Sequence, residues 1–302
     1  MVRNLESCAT LKRIGITLGD CAGIGPEIVD LALKSGRLAD LADYIVIGKY
    51  PDCSLGKPTL ETARAAAAAL EEAVTLARRG ELDAVVTGPV HKARMYEVGF
   101  KFAGQTEFFA ERCGVKNFAM LLTGGKITVA LVTTHIPLSE VSGALQQDDI
   151  VRVGQLLVDF LRCRSTKTPR IAVAGLNPHA GESGKIGREE IEIIVPAVLE
   201  LQKTSGVRST IEGPLSPDTV FHRAAEGEFD AVLCMYHDQG LIPLKLHAFH
   251  DGVNVTLGLP FLRSSPDHGT AFAIAGKGIA RPESMIAAIT LATELAGKKS
   301  AV

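Results

Sequence analysis

Three histidines, His135, His179 and His237, each stand just past an apolar run and beside turn-forming residues, in the strings TTHIPLSE, GLNPHAGESG and CMYHDQGLIPLK. Imidazole is the commonest biological ligand for a catalytic divalent metal, and three protein ligands leave a coordination position open for substrate. Each alone reads more readily as an ordinary loop or strand-end histidine. Three in one kind of context point to a shared metal. A second set of residues could hold an anion. Lys245, Asn254 and Arg263 follow in MYHDQGLIPLK and GVNVTLGLPFLRSSPDHGTAF, and a Lys, an Asn and an Arg converging on one point would form a phosphate or carboxylate pocket. In GQTEFFAERCG, Thr106 is expected to cap a helix with Glu107 in its first turn, and such an N-terminus also suits phosphate. Lys92, in VVTGPVHKAR, follows a strand and reads either as surface or as an anion contact. In ITLGDCAGIGPEIV, Gly19, Gly23 and Gly25 allow close backbone approach to a ligand, or simply make a tight turn; the spacing is not GxGxxG.

Elements that could position these side chains alternate along the chain. Short β-branched runs are expected as strands over 13–18, 44–48, 84–87, 127–133, 171–174, 231–235 and 254–257. Helix-period segments fall between them, at 26–33, 60–79, 149–162, 188–202, 218–225 and 283–295, the second being the clearest, with Gly80 as its stop. Parallel strands joined by crossover helices follow from that alternation. The segment 121–134, with Gly124 and Gly125 between two apolar runs, reads as a β-hairpin, so the expected sheet is mixed but mostly parallel.

Composition narrows the class. At 302 residues the chain is long enough for two domains, and its formal charge of −2 is spread rather than clustered, which argues against nucleic acid or an anionic membrane as partner. Six cysteines lie far apart with no CxxC pair, as expected of a chain in a reducing cytoplasm. The stretch MVRNLESCATLKR has no apolar core of signal-peptide length. A small molecule is the expected partner.

Eight strings occur in order: ITLGDCAGIGPEI, TGPVHKA, GQTEFFA, TTHIPLSEV, GLNPHAGESGKIGREE, GPLSPDTVF, MYHDQGLIPLK and GVNVTLGLPFLRSSPDHGTAFAIAGKG. Together they closely resemble the 4-hydroxythreonine-4-phosphate dehydrogenase family of vitamin B6 biosynthesis, from about residue 13 to residue 280. The resemblance implies two α/β/α domains of isocitrate/isopropylmalate-dehydrogenase-like architecture. Residues 1–105 with 265–302 would form the first and 106–264 the second, with the active site in the cleft between them. It implies a homodimer whose site is shared. One divalent metal (Zn, Mg, Co or Mn) would be held by His135, His179 and His237, one of them from the partner subunit. Gln105, Thr106, Lys245, Asn254 and Arg263 match substrate-binding positions, and Asp218 and Asp238 match acidic residues beside the substrate. The oxidant would be NAD or NADP. Lys245 could also move a proton, although holding an anion is its simpler role. The implied reaction oxidises 4-phosphooxythreonine to a β-keto acid, which decarboxylates to 3-amino-2-oxopropyl phosphate.

Three departures from the family pattern bear on the substrate. Gln105 stands where a His is usual, Cys21 replaces a Pro, and the chain between Gly48 and the helix at Leu60 is short. Gln105 leaves open the same chemistry on threonate or erythronate 4-phosphate, or on a carboxylated cis-dihydrodiol. A metal-dependent hydrolase using the same triad is the alternative of another class.

Overall fold

The computed structural model describes residues 11–298 apart from 39 and 166; residues 1–10 of the stretch read for a leader, Cys8 among them, lie outside these. Ten strands form one sheet: β1 (Lys12–Thr17), β2 (Ala42–Ile47), β3 (Ala84–Thr87), β4 (Ala119–Gly124), β5 (Ile127–Leu131), β6 (Arg170–Ala174), β7 (Thr210–Leu215), β8 (Ala231–Cys234), β9 (Val253–Leu257) and β10 (Leu262–Pro266). Their order is β2-β1-β3-β10-β9-β4-β5-β8-β6-β7. Pairings are parallel on both flanks and antiparallel in the centre, where β10, β9, β4 and β5 meet. This is the expected α/β class with a mixed, mostly parallel sheet.

Helices cover both faces: α1 (Gly25–Lys34), α2 (Leu60–Arg78), α3 (Lys92–Glu97), α4 (Gln105–Arg112), α5 (Leu138–Ala144), α6 (Gln147–Arg164), α7 (Val195–Ser205), α8 (Pro217–Ala225), α9 (His237–His247) and α10 (Glu283–Leu295). The alanine row of α2, with Leu70 and Val74, packs with Ile47 and Val85 on one face, while α6, α7 and α10 close the other over Ile171, Leu233 and Val255. No helix among the described residues is long and apolar enough to cross a membrane.

The hairpin forms as expected, with Gly124 paired to Ile127 across Gly125–Lys126. Two strands depart from the expected set. β7 carries Gly213 and Pro214, which an edge position tolerates, and β10 is LRSSP, whose polar residues are buried in the sheet. The segment 188–202 is not one regular helix: a wider turn at Glu190–Ile194 precedes α7, where Pro196 has no N–H to donate. The sequence division at 105 falls at the start of α4 and that at 264 inside β10, and the sheet runs through β10 and β9 without a break.

Candidate active site

Parallel strands present side chains at their carboxyl ends, and several of the residues singled out above gather at that edge of this sheet. A cleft of about 280 Å³ opens there. Its walls include Lys92, Gln105, Thr106, His135, His237, Asn254 and Arg263. The loop after β5 brings in His135, α3 and α4 bring Lys92, Gln105 and Thr106, and the central strands β9 and β10 bring Asn254 and Arg263.

Arg263 is the cation at its base. It is 2% exposed, yet no carboxylate pairs with it: the guanidinium donates to Thr87 Oγ1 (2.5 Å), Thr256 Oγ1 (3.3 Å) and Gln105 Oε1 (2.9 Å). Burial pulls its pKa down to about 9, Glu107 opposing the shift. Gln105 uses its other end as well, Nε2 donating to the Gly88 carbonyl at 3.1 Å. The amide therefore orients Arg263. Thr106 is not a cap, because Gly104 takes that position and α4 begins at Gln105; its hydroxyl is buried and meets Thr256 Oγ1 at 3.2 Å. Asn254 Oδ1 is buried with no protein partner.

At the other end of the cleft the rings of His135 and His237 lie 5.5 Å apart, centre to centre. His237 opens α9, and its Nδ1 meets Asp238 Oδ1 at 2.7 Å, which leaves Nε2 free. Burial and then Lys92 push the pKa of His135 down, toward the neutral, ligating form. Asp238 itself is largely exposed and lines the adjoining hollow beside Tyr236. Lys245 is not on the cleft wall. It bonds the Asp267 carbonyl (2.9 Å) and carboxylate (2.7 Å), and Asp267 lines the cleft.

His179 is elsewhere. It lies near Asp218, whose carboxylate accepts from Ser216 Oγ at 2.5 Å; that bond first, and more weakly the charge of His179, pull the Asp218 pKa down. Among the described residues no three His, Cys, Asp or Glu side chains converge to hold a metal. His179 opens a left-handed turn: His179, Ala180, Gly181, Glu182 and Ser183 all have positive φ. Glu190, 3% exposed, holds the base of that turn, accepting from the backbone N–H of Leu176 (2.8 Å) and Asn177 (2.7 Å) and from Asn177 Nδ2 (2.9 Å). Buried Gln239 ties it to the His237 helix, taking the Met235 N–H at 2.7 Å and donating to the Gly175 carbonyl at 2.6 Å. Sequence reasoning passed over Glu190 and Gln239. Their only signal was a polar residue in the predicted helix and in MYHDQG.

The turn before α1 takes the second of its two expected readings, a tight turn. Its glycines approach the protein's own backbone: a Cβ on Gly19 would strike the Pro89 carbonyl, on Gly25 the Leu18 carbonyl, and on Gly23 the Thr270 carbonyl at 2.7 Å.

The family model described as pyridoxal phosphate biosynthetic protein PdxA matches residues 26–292. This chain belongs to the PdxA family. A 4-hydroxythreonine-4-phosphate dehydrogenase of Desulforapulum autotrophicum is 43% identical, over 92% of this chain and 94% of the relative. A D-threonate 4-phosphate dehydrogenase of Pectobacterium atrosepticum is 40% identical, over 94% and 99%. The crystal structure of 4-hydroxythreonine-4-phosphate dehydrogenase from Klebsiella pneumoniae superposes with a TM-score of 0.80 at 37% identity, covering 94% of this chain and 99% of that one. The fold extends further, to an isocitrate dehydrogenase from Methylococcus capsulatus (TM-score 0.53, 16% identity, 91% and 83%). PdxA-family membership makes the chain an oxidoreductase, a dehydrogenase acting on a CH–OH group, and the hydrolase alternative falls away.

Proposed function

We propose that the chain oxidises a phosphorylated hydroxy acid, 4-phosphooxythreonine first among candidates, with NAD or NADP and one divalent metal. The β-keto acid so formed decarboxylates to 3-amino-2-oxopropyl phosphate. One observation carries the reading: a buried cation without a carboxylate and a pair of imidazoles share one cleft. Arg263, held by Gln105 and Thr87, would take the substrate phosphate together with Thr106 and Asn254, while Lys245 holds Asp267 at the rim. Charge-assisted bonds from a preoriented guanidinium fix the phosphate and so place the reacting hydroxyl near the imidazoles.

His135 and His237 suit a metal by donor type and by the free Nε2 that Asp238 leaves on His237. Bound there, the metal would supply Lewis acidity to the substrate hydroxyl and to the charge that develops as carbon dioxide leaves. His179, with Asp218 beside it, would complete the set from a second copy. Support for a homodimer comes from α9 and the segment just past it: Ile242 (62%) and Leu246 (83%) are exposed on the helix that begins with His237, and Phe249 (70%) is exposed two residues beyond its end. The two domains would be 1–105 with 265–302, and 106–264, both contributing to the cleft walls. Asp218, Asp238 and Lys245 are the proton-handling candidates.

Because the relatives include enzymes named for 4-hydroxythreonine 4-phosphate and for D-threonate 4-phosphate, both substrates belong in the test, with erythronate 4-phosphate and a carboxylated cis-dihydrodiol beside them. Reduced nicotinamide is followed by absorbance with each, with and without chelator. Chelator-sensitive turnover of a phosphorylated acid is expected. Turnover that chelation leaves untouched, or on the unphosphorylated diol alone, would overturn the reading.

A further inference from the structure

Two cysteines far apart in sequence meet outside the cleft. Cys21 lies in the turn between β1 and α1, Cys53 in the short segment between β2 and α2, and their sulfurs are 3.5 Å apart. Both are free thiols, Cys21 only 5% exposed and Cys53 half-buried. The segment around Cys53 is docked, not loose. The Tyr50 hydroxyl takes the Leu18 N–H at 2.9 Å and donates to the Ile47 carbonyl at 3.1 Å, and the Gly56 N–H donates to the Ala22 carbonyl at 2.7 Å. Those bonds hold the two thiols face to face.

We propose that Cys21 and Cys53 form a reversible dithiol–disulfide couple, closed by exchange with a small-molecule disulfide such as oxidised glutathione, that staples segment 48–59 onto the turn before α1. A disulfide bond is about 2.0 Å long, so the sulfurs must approach by roughly 1.5 Å, within the reach of side-chain rotation. Cys53, the more accessible sulfur, attacks the oxidant, forms a mixed disulfide and expels one thiolate. The Cys21 thiol then gives up its proton, its sulfur attacks Cys53 Sγ, and the second thiolate leaves. Two protein thiols are oxidised by two electrons and one disulfide is reduced to two thiols, so the exchange balances. Burial, with Cys53 next, pushes the Cys21 thiol up to about 12, which makes it the resolving partner rather than the first attacker. The bond would enclose α1 and β2 in a covalent loop. It would also brace the turn whose Asp20 N–H bonds the Pro89 carbonyl at 2.9 Å, and Pro89 is part of the cleft wall.

The test uses the whole protein, reduced with dithiothreitol, desalted and incubated with oxidised glutathione. Intact mass, thiol titration in denaturant and peptide mapping are then read. The six thiols of the chain should fall to four, with a mass loss of about 2 Da, a linked pair of peptides carrying Cys21 and Cys53, a raised melting temperature, and reversal by dithiothreitol. Cys53→Ser should show no such link, and Cys21→Ala should stop at the glutathione adduct on Cys53. A stable glutathione adduct on the unmutated protein, a link through any other cysteine, or six persisting thiols would overturn the proposal.

Discussion

Arg263→Met is the perturbation that separates an anion-binding cation from a structural one. Methionine keeps much of the side-chain volume and removes the charge. The guanidinium pKa of about 9 lies far below the usual guanidinium range, which corresponds to roughly 5 kcal/mol set against the fold at neutral pH. Removing the charge relieves that cost. It also strips hydrogen bonds from Thr87, Thr256 and Gln105, a loss of roughly 1–3 kcal/mol per unsatisfied buried group. The two effects oppose each other, so the variant should lie between about 2 kcal/mol more stable and about 4 kcal/mol less stable than the parent at pH 7. The sign of the pH dependence is fixed. With the folded pKa depressed, the protonated guanidinium opposes folding at every pH below about 9, and the penalty fades as pH rises above it. The parent should therefore gain on the variant as pH goes from 8 to 10. Inorganic phosphate at a hundredfold over its Kd should stabilise the parent by about 2.7 kcal/mol, or roughly 4 °C for a chain of this size, and should leave the variant unmoved. Loss of one charge-assisted contact of about 1.5–3 kcal/mol should lower kcat/KM for the phosphorylated substrate by roughly 10–150-fold. Thermal unfolding with and without phosphate, beside steady-state kinetics, reads all of this. A variant that loses more than about 4 kcal/mol and keeps the phosphate shift would show Arg263 to be a structural ion, and the anion site would have to lie elsewhere.

Other outcomes follow from the same geometry. His237→Ala should abolish bound divalent metal, measured by elemental analysis, while shifting the melting point little, since the ring lies on the cleft wall and not in the core; unchanged metal content would remove it from the site. Leu246→Asp puts a charge on the exposed face of α9 and should convert dimer to monomer by light scattering with loss of turnover; an active monomer would refute the shared site. Gln105→His replaces an amide whose two ends hold Arg263 and Gly88, and should change the ratio of kcat/KM between 4-phosphooxythreonine and threonate 4-phosphate by tenfold or more, about 1.4 kcal/mol; an equal ratio would make the position idle. Gly25→Ala should cost more than about 3 kcal/mol in denaturant unfolding, because its Cβ would strike the Leu18 carbonyl.

Periodicity was enough to read most of the sheet, where apolar strands alternate with amphipathic helices, though not the edge strand β7 with its Gly213 and Pro214; α10 spans Glu283–Leu295 as its pattern predicts. In the centre β10 was missed. β10 reads as a loop because Arg263, Ser264 and Ser265 are polar, yet all three are buried by partners brought from distant strands and helices. Helix α9 was hidden by Gly240 and Pro243 and by apolar residues on all sides, a composition that fits a helix with apolar neighbours on more than one face. The residue types of the cleft were legible as strings, but which of them share a wall was not. His179 and His237 look alike in sequence, and only the left-handed turn and the start of α9 put them in different places.

That left-handed turn also limits how this site can be borrowed. Four residues with a Cβ occupy a conformation that each disfavours by roughly 1–2 kcal/mol. An isolated stretch has nothing to offset that. The offset comes from Glu190 on the following helical turn and from Gln239 on another element altogether. A synthetic peptide spanning 175–190 would consequently fall back to ordinary right-handed and extended conformers. A graft of the histidine loop into another scaffold would need both buried side chains to come with it, so the transferable unit is a three-element module and not a motif.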